Sequence, residues 1–115
     1  MSGYRAKNRF TLDVKEGDAF AQDFIAPTEI SLSGKSIRCQ LRKNATAPAV
    51  VLELSTAAGT ITKSGQTFTL IFTPAATTGK AGSYPCDIEV YTDETDVLTI
   101  AEGDITITAQ ITRPA

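Results

Sequence analysis

The sequence predicts an all-β domain, an immunoglobulin-like antiparallel β-sandwich of about 8–9 short strands. Three observations carry this. Apolar and polar residues alternate in short runs along nearly the whole chain. Glycine, proline, asparagine and aspartate punctuate the runs at intervals of roughly 8–12 residues, the spacing of sandwich strands. Only Pro74 to Thr78 carries a helical signal, proline suiting a first helical turn and alanine propagating it. Threonine fills many outward positions, where a polar β-branched side chain suits a pleated surface.

In chain order, residues 1–8 show no periodicity and read as a flexible basic N-terminal arm; residues 9–115 read as a single domain. The first strand places Phe10, Leu12 and Val14 on one side. The turn Lys15-Glu16-Gly17-Asp18 leads to a second strand carrying Phe20 and Phe24, and the two strands read as an antiparallel hairpin. Pro27 ends that pairing, and a connection follows that hides Ile30 and Leu32. Ile37, Cys39 and Leu41 then point inward while Ser36, Arg38, Gln40 and Arg42 point outward. Val50, Leu52 and Leu54 form the next inward set. Ile61 and the run Phe68, Leu70, Phe72 flank Ser64-Gly65, a hairpin signature.

The best-patterned stretch is Gly79 to Thr92, a glycine turn feeding a long strand with Tyr84, Cys86, Ile88 and Val90 inward and Asp87, Glu89 and Tyr91 outward. Asp93 to Asp96 reads as a hairpin loop. Leu98 and Ile100, then Ile105, Ile107, Ala109 and Ile111, complete the apolar face, with a bulge or bend expected at Glu102-Gly103-Asp104.

The composition argues against catalysis. There is no histidine, the commonest general base and metal ligand. The two cysteines, Cys39 and Cys86, fall short of a zinc site. Asp93, Glu94, Asp96, Glu102 and Asp104 cluster in sequence, but nothing frames them as a calcium loop, and acidic turn residues are ordinarily solvated. No catalytic residue, cofactor or metal is therefore expected, and the chain reads as not an enzyme. A net charge of −2 gives no support for nucleic-acid binding. No apolar run spans a bilayer, and no apolar leader opens the chain, so neither a membrane nor secretion is expected.

Tyr84-Pro85-Cys86 has the Tyr-x-Cys spacing of a tyrosine corner at the start of an immunoglobulin strand F. A true immunoglobulin bridge would pair Cys86 with Cys39. The missing tryptophan and the absent leader favour two buried, reduced thiols. Tyr84 reads as a core tyrosine whose hydroxyl ties down a loop. Lys35, Arg38, Arg42 and Lys43 suggest a basic patch, interleaved with Ser36 and Gln40 as a polar docking surface. Tyr91 is an outward aromatic, an interface anchor or a cross-strand partner.

The order of segments resembles the small β-sandwich domain of tailed-phage and prophage tails, as in the N-terminal domain of baseplate upper proteins. The likeness rests on Glu16-Gly17-Asp18-Ala19-Phe20, on the Leu32-to-Arg42 run, on Ala58-Gly59-Thr60-Ile61-Thr62, on Ala81-to-Val90 and on the closing strand Leu98–Ile111. The resemblance implies a non-enzymatic virion structural protein, made in the host bacterial cytoplasm. It would be an adaptor or accessory subunit of tail or baseplate, docking on other virion proteins in symmetric multi-copy assembly. Neck or capsid decoration, or a carbohydrate-binding module, are the alternatives. Baseplate proteins of this kind continue into a stalk and this sequence stops at Ala115, which favours an accessory or connecting role. Docking is expected through sheet edges and terminal arms, with Arg5, Lys7, Arg9, Tyr91 and Arg113 as candidate contacts.

Overall fold

The structure, a computed structural model, describes residues 9–111. Its eight strands are β1 (Arg9–Lys15), β2 (Phe20–Ile25), β3 (Ser36–Leu41), β4 (Leu52–Ser55), β5 (Ile61–Ser64), β6 (Thr67–Phe72), β7 (Gly82–Tyr91) and β8 (Leu98–Thr108). One helical turn, α1 (Pro74–Thr77), is capped by the Thr73 side chain. The strands form two sheets, β1-β8-β7-β3-β4 and β2-β6-β5. Setting aside β1, that is the strand grouping of an immunoglobulin-like sandwich of the variable type, with the C′ position taken by β4.

The alternating residues meet between the sheets. Ile37, Cys39 and Leu41 of β3, Phe68, Leu70 and Phe72 of β6, and Tyr84, Cys86, Ile88 and Val90 of β7 are buried, with Leu12, Leu54, Ile100, Ile105 and Ile107. Phe10, Phe20, Phe24 and Leu52 pack on this core while partly open. Leu32, Ile61, Val14 and Ala26 complete it. An aromatic column joins the layers: Phe10 meets Phe24 edge-on at 5.1 Å, and Phe24 stacks on Phe68 at 5.3 Å.

The pairing of β5 with β6 is a hairpin, closed by Gly65-Gln66 with Gly65 at φ +60°. The pairing of β1 corrects the sequence expectation. β1 and β2 are not a hairpin: β1 runs parallel to β8 in the larger sheet, and β2 pairs with β6 in the other. The connection between them crosses from layer to layer and is tied to its surroundings. Gly17 N–H donates to Thr77 Oγ1 (2.8 Å), while the Glu16 carboxylate accepts from Gly79 and Gln110 N–H. Alternation identifies an inward face but not the layer it belongs to.

Three smaller corrections follow. β4 begins at Leu52, and Val50 is 40% exposed because the preceding loop lies outside the sheet. β8 ends at Thr108, so Ala109 is exposed and Ile111 is 86% exposed. The β7–β8 register shifts between Ile88 and Glu89, opposite Ala101 and Thr99, not at Gly103. Gly103 is in register with Phe10 and Cys86 and serves close approach of β1.

Candidate docking surface

The outer face of the five-stranded sheet gathers the charged residues that alternate with the core. One row crosses all five strands: Arg9, Glu102, Asp87, Gln40 and Glu53 are successive cross-strand neighbours. Arg9 pairs with Glu102 and with Asp104, each at 3.3 Å, and is more than half exposed. Such pairs contribute little to stability, about 0–1 kcal/mol.

The adjacent row is tighter. Arg38 Nε donates to Glu89 at 2.6 Å, and its terminal nitrogens reach Glu94 in the β7–β8 loop. These bonds, to Glu94 first and then to Glu89, hold the guanidinium even more firmly protonated than usual. Its plane lies 4.4 Å from the centre of the Tyr91 ring. Tyr91 is thus a half-buried cross-strand partner, not a free aromatic.

The basic patch expected along β3 is dispersed by these contacts. Lys35 donates to Asp96 and Thr92, and Arg42 donates to the carbonyls of Ala47 and Pro48 and to Gln40 Oε1. The loop acids are likewise engaged. Asp96 accepts the Asp93 and Thr92 N–H groups and is held well below the usual carboxylate range. Asp93 is lowered by the Thr95 hydroxyl and N–H. Among the described residues, no three Cys, Asp or Glu side chains gather within reach of one metal ion.

Where these rows run toward the β3–β4 loop, the face opens into a cleft of about 230 Å³ lined by Arg9, Gln40, Arg42, Pro85, Asp87 and Glu102 among others. Periodicity could place Asp87 on the outer face but could not show this hollow, because the loop that walls it has no pattern. Burial pushes the Asp87 carboxyl up, as do the nearby Glu89 and Glu102; Arg42 and Arg38 oppose the shift.

Cys39 and Cys86 lie on adjacent strands of one sheet, Cys39 opposite Ile88 and Cys86 opposite Leu41, both thiols free and buried. A hydrogen bond with Cys86, then burial, pushes the Cys39 thiol well up, away from thiolate chemistry. Both belong to the five-stranded sheet, so they do not occupy the inter-sheet positions of an immunoglobulin bridge. The Tyr84 hydroxyl donates to Lys80 O at 2.7 Å and closes the corner expected from Tyr-x-Cys. Of the other candidate contacts, Arg5, Lys7 and Arg113 lie outside the described residues, as does the arm of residues 1–8.

No family model and no curated protein sequence matches the chain. Among solved structures it is similar to the second Ig domain of mouse polymeric immunoglobulin receptor, at 9% identity and a TM-score of 0.48, covering 92% of this chain and 100% of that one. It is also similar to the extracellular domain of the voltage-gated sodium channel beta4 subunit, at 7% identity and 0.41, covering 96% and 100%. Domains 3–5 of Drosophila OTK match at 16% identity and 0.33, covering 84% of this chain and 32% of that one. Likeness at this level concerns fold class and carries no function.

Proposed function

We propose that this chain is a non-enzymatic docking subunit of a tailed-phage virion, an adaptor or accessory part of the tail or baseplate. The observation that carries the docking reading is the edge at β1. This strand runs seven residues without proline or bulge, and among the described residues it pairs with one strand only, β8. Its other side offers backbone donors and acceptors to an added strand. The basic residues Arg5 and Lys7 lead directly into it. The absence of catalysis is supported by the state of the reactive groups: the thiols are buried, and most outer-face acids are engaged in ion pairs and turn hydrogen bonds. The virion setting rests on the ordered resemblance of the segments.

The test is co-sedimentation of the tagged chain with phage particles from an infected or induced host. Incorporation is expected, and deletion of residues 1–8 is expected to leave the sandwich folded while weakening incorporation several-fold, as loss of one arm in a multivalent assembly would. A chain that stays in the soluble fraction overturns the virion reading; a truncated chain incorporated as well as the whole one overturns the role of the arm.

A further inference from the structure

We propose that the cleft on the outer face of the five-stranded sheet binds a basic side chain, a lysine or arginine presented by a partner protein. Most of the polar groups in the cleft are already engaged. The Arg9 guanidinium is engaged by Glu102 and Asp104. Arg42 donates to two loop carbonyls and to Gln40 Oε1, and Gln40 Nε2 donates to Glu53. The guanidinium groups and the Gln40 amide lining the cleft are thus engaged within the chain, and the Asn44 amide oxygen at its rim accepts from Thr46. Asp87 is different: it sits between Gln40 and Glu102 in the cross-strand row, is half-buried, and its carboxylate has no hydrogen bond or ion pair among the described residues.

The open capacity of the cleft is therefore a carboxylate acceptor in a desolvated place. An anion entering it would meet Asp87 and Glu102 with the arginine donors committed elsewhere. A cation would offset the desolvation cost of Asp87 and its repulsion by Glu102 and Glu89 through its charge, and would add a charge-assisted hydrogen bond. The charged groups around Asp87 are Glu89 on its own strand, Glu102 on β8, Arg38 on β3, Arg42 just beyond the end of β3, and Arg9 of β1, which also lines the cleft. A volume of about 230 Å³ is below that of drug-sized ligand pockets and suits one side chain. The site belongs to the isolated chain; only the protein source of the cation rests on the docking reading above.

The experiment is an amide NMR titration of the full chain with N-acetyl-lysine and N-acetyl-arginine N-methylamides, with the neutral norleucine analogue as control. Saturable shifts are expected at Gln40, Asp87, Glu102 and Gly103 with one or both cations and not with norleucine. Asp87→Asn, which removes a repelled charge and is expected to fold, should weaken the binding about tenfold, the loss of one charge-assisted hydrogen bond. No saturable shift with either cation, equal shifts with norleucine, or undiminished binding by Asp87→Asn would overturn the site. Particle co-sedimentation of the whole chain separates the two readings. A chain that binds the cations but stays off particles keeps the cleft and loses the virion role; a chain that joins particles but ignores the cations does the reverse.

Discussion

Phe10 of β1 lies against Gly103 of β8 so closely that a Cβ added at Gly103 would fall 2.3 Å from the Phe10 carbonyl oxygen and 2.8 Å from its ring. The two are register partners in the parallel β1–β8 pair. This close approach accounts for a glycine in the middle of an eleven-residue strand. Because the nearest atom is backbone, the clash cannot be relieved by a side-chain rotation. Gly103→Ala is expected to destabilise the fold by about 1–3 kcal/mol, the usual cost of overpacking. Urea denaturation reads the cost, and hydrogen exchange is expected to show β1 losing protection first. An alanine variant as stable as the parent would refute the close approach.

The corner at Tyr84 gives a second measurement. Its hydroxyl bonds the Lys80 carbonyl at 2.7 Å, and Gly82, at φ +150°, leaves it room: a Cβ there would lie 3.1 Å from the hydroxyl oxygen. Tyr84→Phe keeps the buried ring and loses one hydrogen bond, so a loss of about 1 kcal/mol is expected in chemical denaturation with an unchanged m-value. A neutral substitution would show that the hydroxyl does not hold the loop.

Asp87 sets a pH dependence with a definite sign. Its folded-state pKa is raised, by burial first and by Glu89 and Glu102 next. The folded state therefore holds the proton more tightly than the unfolded state does. Stability falls as pH rises from the unfolded carboxylate range through the folded pKa. Asp87→Asn removes it, so the variant is expected to be more stable than the parent at pH 7, by about 0.5 kcal/mol or less because the group is half exposed. The advantage should shrink as pH falls through the carboxylate range and vanish below about pH 3, where both states are protonated. An advantage that grows on acidification would contradict the assignment.

The thiols distinguish this sandwich from a bridged immunoglobulin domain. Cys39 and Cys86 are free and buried on neighbouring strands. A thiol reagent is expected to find neither in the native protein and both after unfolding without reductant. Recovery of no thiol on unfolding would mean that a bridge had formed.

The inward positions of nearly every strand are legible as alternation, from Ile37, Cys39 and Leu41 to Tyr84, Cys86, Ile88 and Val90. Each depends on a side chain's own face, and a period of two is local. The Gly65 hairpin and the Pro74 turn are legible for the same reason: their geometry is set by adjacent residues. Val50 and Ile111 continue the pattern yet are exposed, because alternation persists where the partner strand has ended. The layer of β1, the approach of Phe10 to Gly103, and the dispersal of the β3 cations among Glu89, Glu94 and Asp96 are set by tertiary structure. So is the cleft at Asp87, whose neighbours come from four strands and a loop. These join residues dozens of positions apart, and pairing between distant strands depends on how the two sheets close over the shared core, which no local period encodes.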